Sequence, residues 1–518
     1  MTTLMTPGVY IEEKNAFPNS VVEIATAVPI FIGYTQKAER KASSLIHKPT
    51  RITSFAEYVE LFGTSFKSKF ELVQEASGKP DKAEAERAQE TNLEDRKSED
   101  SYVIIDGKKW YVLLKDKHTA YMYNSIRLFF GNEGGPCYIL SVGTYGNNTE
   151  VDIKPEEIIN EAILGLLEKE QEPTLVVAPD LIAKGEEAYS FYKQILAHCS
   201  KVQRCFAILD IAKPETQDSV STEAVISVFR EKIGVEALSY GAAYYPWLKT
   251  SIVQPDEVDG DNLDLSINQL KEILPEKSAK ELLDKYEKEL PADINPTQQK
   301  QNYHKALKAL SPTYAAILDI VRDKLNLLPP SAAMAGIYTM VDNRRGVWKA
   351  PANVAINMAN MPSVNISSEQ QEGFSIDVLG GKSINAIRAF PGIGTLVWGG
   401  RTLDGNSQDW RYINVKRTVI MIEQSIKLAA SAYIFEPNDA TTWATIKSMI
   451  GNFLNKLWKD GALAAATPDQ AFDVQVGLGS TMTATDILEG KMLINVKVAI
   501  VRPAEFIVIT IVQQMQKR

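Results

Sequence analysis

The strongest constraint in the sequence is an alternation of two hydrophobic patterns between residues 137 and 246. Short, continuous apolar runs at 137–142, 174–178, 205–209 and 242–246 have the length and composition of buried strands. Between them, the stretches 155–168, 186–197 and 222–233 read as helices. In the first of these, Ile158, Ala162, Ile163 and Leu166 share one helical face, and Pro155 suits the first turn, where a missing N–H is no loss. Strands that alternate with helices predict an α/β unit, because helices then cover the sheet that the strands make.

That unit is part of a longer chain. At 518 residues, with 45% hydrophobic and 23% charged residues, the sequence exceeds what one core usually fills and has a folded protein's composition. Two insertions interrupt it. Residues 79–100 are charged at most positions and hold one aliphatic side chain larger than Ala, Leu93, so burial there cannot offset the entropy of ordering. Residues 102–114 regain β character around Asp106-Gly107, which predicts a hairpin at the foot of that insertion. Residues 251–326 form a second, helical insertion. The expected class is α/β mixed with α+β.

The two ends differ from the middle. Residues 1–20 read as an irregular arm, with a turn at Pro7-Gly8, one β-prone patch at Val9, Tyr10 and Ile11, and a break at Pro18. Residues 21–34 are apolar and β-branched, and Pro29 is expected to limit them to two short strands or an edge. Toward the other end, Val419, Ile422, Ile426, Ala429 and Tyr433 mark one helix. Trp443, Ile446, Ile450, Phe453, Leu454 and Leu457 mark the next, with Asn438 or Asp439 as its cap. Lys447, Asn455, Lys456 and Lys459 fall opposite its apolar stripe. Two β runs, 493–501 and 505–512, are parted by Arg502-Pro503.

Chemistry is harder to find than architecture. The net charge of −9 argues against nucleic acid as a partner, since phosphate binding requires clustered Lys and Arg. Cys137, Cys199 and Cys205 lack metal or redox spacing and read as buried thiols; His47, His118, His198 and His304 are scattered. No apolar run reaches the ~18 residues of a membrane span, and the first residues lack the pattern of a leader. Gly392-Ile393-Gly394 has Val397 where a dinucleotide loop needs its third glycine, and Gly381-Lys382-Ser383 has Ile376 where a phosphate loop needs its first. Asp180 and Asp210 follow predicted strands, the position of catalytic carboxylates in open-sheet enzymes, yet an Asp there more often caps the next turn. No catalytic residue, cofactor or metal is expected.

Several strings resemble the contractile phage tail sheath family, which includes the sheaths of tailocins and extracellular injection particles. They are Pro7-Gly8-Val9-Tyr10-Ile11-Glu12-Glu13, Ala27-Val28-Pro29-Ile30-Phe31-Ile32-Gly33, Leu328-Pro329-Pro330-Ser331-Ala332, Gly346-Val347-Trp348-Lys349-Ala350-Pro351, Trp398-Gly399-Gly400-Arg401, Phe435-Glu436-Pro437-Asn438 and Arg502-Pro503-Ala504-Glu505-Phe506. The resemblance implies a non-enzymatic subunit that polymerises as stacked hexameric rings around an inner tube and contracts to drive that tube through a target envelope. It implies self-association, an inner tube protein, baseplate and terminal cap proteins as partners, and assembly in the cytoplasm into a particle that is released or retained.

It also implies a discontinuous core formed by both termini, with an α/β domain pointing outward. The expected division is an arm at 1–20, an inner core of 21–40 and 384–518, an outer insertion domain at 41–135, and a middle domain at 136–383. Val9, Tyr10 and Ile11 with Glu505, Phe506, Ile507, Val508, Ile509, Thr510, Ile511 and Val512 are the expected intersubunit links, because unpaired β segments can add to a neighbour's sheet. Lys447, Asn455, Lys456 and Lys459 are the expected tube contacts. The competing readings are an α/β hydrolase using Asp180 or Asp210, and a non-contractile shell protein.

Overall fold

The computed structural model describes residues 21–75, 102–115, 119–148, 150–213, 221–289, 296–377 and 380–506. The charged stretch 79–100, the arm 1–20 and the run 507–512 lie outside the described residues. The chain divides into two compact units, Met1–Ala25 with Arg417–Arg518, and Thr26–Lys416.

The larger unit is organised by a sheet whose strands follow the order Val354–Ala355, Gly394–Val397, Asn385–Phe390, Gly241–Tyr245, Phe206–Asp210, Leu175–Val177, Pro29–Thr35, Cys137–Thr144, Thr50–Ile52. Neighbours from Asn385–Phe390 to Cys137–Thr144 pair in parallel, and both margins are antiparallel. The four strands expected between 137 and 246 are all present, and they alternate with the helices Glu161–Lys169, Ala188–Val202 and Thr222–Lys232. The first expected helix is divided. A short turn, Pro155–Ile158, stops at Ile159, and Asn160 restarts the chain by accepting the Ile163 amide.

Residues 21–34, expected to give two short strands or an edge, instead supply one central strand, Pro29–Thr35. It is buried at every residue and sits between Leu175–Val177 and Cys137–Thr144. Pro29 is tolerated because it is the first residue of the strand, where a missing donor removes little of the ladder. The helix Ser331–Arg345 is equally enclosed, buried at every residue from Ser331 to Thr339. A methyl at Gly336 would lie 2.7 Å from the Phe129 carbonyl oxygen, so the absence of a side chain sets how closely this helix meets Met122–Gly131.

The strands that flank the charged stretch and the helical insertion 251–326 share a second hydrophobic core. Strands Phe70–Gln74, Tyr102–Ile105 and Lys108–Leu114 form one sheet, and Phe70, Val103, Ile105 and Val112 pack with Leu263, Leu270, Leu283, Leu307, Ile317 and Leu318. The hairpin turns at Asp106 (φ 48°) and Gly107 (φ 77°), both left-handed as a two-residue turn demands.

The smaller unit holds most of helix Ile413–Ala430, helix Ala440–Lys459, and a two-stranded antiparallel sheet of Phe472–Val476 and Ile494–Val498. Within it, the Ile24 amide donates to Ser425 Oγ at 3.1 Å, so a segment near each chain end shares one unit. The borders between compact units, at 25/26 and 416/417, differ from the division suggested by sequence. Strands Pro29–Thr35 and Asn385–Phe390 belong to the larger sheet because full or partial parallel pairing buries them there.

Candidate assembly surfaces

In the two-stranded sheet, Phe472, Val474 and Val476 stand opposite Val498, Val496 and Ile494, while Asp473 faces Lys497 and Gln475 faces Asn495. One face is apolar and the other polar, the alternation of a half-buried strand pair. Ile494–Val498 realises the centre of the expected run 493–501. Beyond it the chain is held by the Ala499 amide to Ala471 O (2.8 Å) and the Val501 amide to Ala462 O (3.2 Å). The partner strand Phe472–Val476 was missed from sequence. Its signal is the strict alternation Phe-Asp-Val-Gln-Val, short enough to be overlooked between two stronger helices. Among the described residues, neither strand pairs on its outer side.

The expected linking residues are placed only in part. Glu505 and Phe506 are exposed and lie outside any strand. Val9, Tyr10, Ile11, Ile507, Val508, Ile509, Thr510, Ile511 and Val512 lie outside the described residues.

The helix Ala440–Lys459 starts where Asp439 Oδ1 accepts the Thr441 and Thr442 amides. Its buried face is Ile446, Met449, Ile450, Phe453, Leu454 and Leu457. Lys447, Lys456 and Lys459 are exposed. At about 100° per residue, Lys447 and Lys456 flank opposite margins of the exposed arc, with Lys459 between them. Lys456 reaches Glu23 at 3.9 Å. Asn455 is half-buried, and its Oδ1 has no hydrogen-bond partner.

The carboxylates considered for an enzyme have structural roles. Strand order reverses at Pro29–Thr35, whose chain successor Cys137–Thr144 lies on one side and Leu175–Val177 on the other. Open sheets hold ligands in the crevice at such a reversal. Here Asp180 occupies it. Its Oδ2 accepts the Tyr34 amide at 2.8 Å, and its Oδ1 accepts the Tyr121 and Met122 amides at 2.7 and 3.0 Å. A methyl at Gly33 would meet Oδ2 at 2.5 Å, so glycine makes room for the carboxylate. Burial pushes the Asp180 carboxyl up to about 6, against the opposing pull of the three amides. Asp210 sits at the head of helix Ser331–Arg345, binding the Ser331 amide and hydroxyl. Burial raises it to about 7, again against the hydrogen bonds.

The loop motifs are local structure as well. Gly392 (φ 76°) and Gly394 (φ 110°) shape the turn between Asn385–Phe390 and Gly394–Val397. The Lys382 ammonium donates to the Arg230 carbonyl, and its amide donates to Asp377. Cys137, Cys199 and Cys205 are buried free thiols. Among the described residues, no cluster of three or more His, Cys, Asp or Glu is placed to hold a metal, and no helix is long and apolar enough to cross a membrane.

Three comparisons bear on these surfaces. A family model described as the phage tail sheath C-terminal domain matches residues 406–514. The tail sheath protein of Salmonella phage ViI is 28% identical over 153 residues, which are 29% of this chain and 24% of that protein; the match thus spans about a quarter of the phage protein's length. Two solved structures match along nearly the whole chain. A chain from the contracted sheath complex of PVC, an extracellular contractile injection system, is 27% identical with 99% of each chain covered and a TM-score of 0.59. A chain from the six-fold symmetrised baseplate of the anti-feeding prophage is 28% identical, with 99% of this chain and 100% of that one covered and a TM-score of 0.57. Its C-terminal segment is matched by the sheath domain and its mixed fold is shared end to end with an injection-system sheath structure, so the chain is similar to contractile tail sheath proteins in both sequence and fold.

Proposed function

We propose that this chain is the repeating subunit of hexameric rings stacked around an inner tube, and that shortening of the stack drives the tube through a target envelope. The observation that carries the reading is the Phe472–Val476/Ile494–Val498 sheet, whose outer edges are unpaired among the described residues and which lies in the unit containing both chain ends. An isolated strand pair is marginal in water, and its open edges are templates for further strands. Residues 9–11 and 505–512 of neighbouring copies would fill them by β-augmentation, joining subunits through main-chain bonds. Residues 17–20 would act as the hinge, letting bodies rotate without breaking those joints. Surface buried between bodies in the shortened lattice would supply the energy, so no nucleotide or catalytic residue is required.

Other parts of the reading rest on the relatives. The six-fold symmetry of the anti-feeding prophage baseplate supports hexameric rings and a baseplate partner. The helix face carrying exposed Lys447, Lys456 and Lys459 with half-buried Asn455 is assigned to the inner tube, the ring stack ends at a cap protein, and assembly precedes release from the cytoplasm. The outer subdomain made of the strands that flank the charged stretch and the helical insertion 251–326 points away from the tube. Electron microscopy of the concentrated full chain tests the core claim. Striated tubes are expected; a chain lacking residues 1–16 should give none, and normal contractile tubes from that truncation would overturn the linking role.

A further inference from the structure

A rim of exposed apolar side chains stands at one end of the open-edged sheet. The turn at 434–438 is tied to the segment preceding Ile494–Val498 by Asn438 Nδ2, which donates to Lys491 O at 2.9 Å. Asn438 Oδ1 in turn accepts Trp443 Nε1 at 2.7 Å, and Trp443 lies 3.7 Å from where a side chain at Gly477 would begin. Thr481 Oγ1 donates to Leu493 O at 2.6 Å, closing the 477–493 connection on itself. These bonds tie the 434–438 turn to the 477–493 connection, and the apolar residues Ile434, Phe435, Leu478, Leu488 and Leu493 on those two segments are all exposed, Phe435 fully and Leu488 at 88%. Exposed apolar side chains concentrated on two tied segments mark a contact site.

Phe435 is also held in an unfavourable backbone state. Its φ is 73°, a left-handed conformation that an aromatic residue rarely adopts. The flanking bonds from the Ile434 amide to Ser431 O and from the Glu436 amide to Tyr433 O fix the turn. A strained residue whose ring is fully exposed among the described residues gives the folded subunit no evident return. A rigidly presented aromatic is instead the usual anchor of an interface.

We propose that Phe435, with Ile434 and Leu488, grips the apolar run at 507–512 of a second copy of this chain. This rests on the β-augmentation reading above and adds the side-chain contact that selects the incoming strand. The occupant is argued from the chain itself. Residues 507–512 are Ile-Val-Ile-Thr-Ile-Val, follow directly on exposed Phe506, and span about 20 Å if extended. A strand added to either open edge has one end at the 476/494 end of the sheet, where the rim stands. Main-chain pairing supplies attachment without sequence preference, and the rim supplies the preference.

The test uses the full chain in two variants. Phe435→Gly relieves the left-handed strain and removes the ring. It should melt no lower than the parent, while the protein concentration needed for tubes rises about tenfold or more. A lower melting temperature, or tubes at the parental concentration, would overturn the proposal. The double variant Phe435→Cys/Ile509→Cys, assembled and mildly oxidised, should give a ladder of covalent multimers, the native thiols being buried. Tubes without a ladder would overturn it, as would a ladder formed only by Phe435→Cys/Tyr10→Cys, which would assign the rim to the other arm. A chain cut after Phe506 separates the two levels: normal tubes from it would remove the augmentation reading of the C-terminal run itself, whereas lost tubes with no ladder would remove only the grip.

Discussion

Asp210 and Ser331, 121 residues apart, are joined by two hydrogen bonds: Oδ1 accepts the Ser331 amide at 2.8 Å and Oδ2 accepts its hydroxyl at 2.5 Å. The contact ties the end of strand Phe206–Asp210 to the start of the buried helix Ser331–Arg345. It also separates two aspartates that look alike in sequence, because Asp180 accepts only from backbone amides, on both oxygens.

Replacing each by asparagine should therefore have unequal effects at neutral pH. In Asp210→Asn the amide group can still donate to the Ser331 hydroxyl while its oxygen accepts the backbone N–H, so a loss under ~1 kcal/mol is expected. In Asp180→Asn one NH2 must face a backbone N–H, leaving a buried donor unmatched at about 1–3 kcal/mol. Urea unfolding of both variants at pH 7.5 checks this. Equal losses would contradict it.

Both carboxyls should also make stability depend on pH in the direction opposite to a salt-bridged acid. Burial raises their folded values to about 6 and about 7, above the ordinary carboxylate range, so the folded state holds these protons more tightly than the unfolded chain. The contribution is fully present below about pH 4 and is lost as pH rises through 6 to 7. The stability of the parent minus that of Asp210→Asn should fall between pH 4.5 and 7.5. A flat or rising difference would refute the assignment.

Gly336→Ala tests the packing of Ser331–Arg345 on Met122–Gly131. The added methyl would meet the Phe129 carbonyl oxygen at 2.7 Å and Asn132 Cβ at 2.8 Å, neither of them the far end of a flexible side chain. A loss of about 1–3 kcal/mol is expected, despite the better helix propensity of alanine. Thermal unfolding at fixed pH measures it.

Lys447→Glu combined with Lys456→Glu reverses both margins of the exposed helix arc and leaves the buried face untouched. Melting should hardly change, because exposed charges contribute little to stability. The ratio of inner tube to sheath in purified particles should drop severalfold, with the effect largest at low salt. An unchanged ratio would remove this face as the tube contact.

The α/β alternation at 137–246 was legible because a strand's length and a helix's period are properties of consecutive residues, and the helix Ala440–Lys459 was legible for the same reason, its cap narrowed to Asn438 or Asp439 before the structure gave Asp439. The family strings likewise sit in order along the chain. Other features depend on residues distant in sequence. Residues 21–34 read as two short strands or an edge until Leu175–Val177 and Cys137–Thr144 are seen to flank Pro29–Thr35. The strand at 70–74 and the helical insertion 251–326 look separate until Phe70 and Leu318 are found in one core. The sequence by itself determined most element types, though not the strand Phe472–Val476, and the family resemblance, which local periodicity and short strings encode. Only the tertiary structure decided that Asp180 ties Tyr34 to Tyr121 and Met122, that Phe472–Val476 partners Ile494–Val498, and that Phe435 stands strained and bare, because long-range packing alone fixes which distant residues meet.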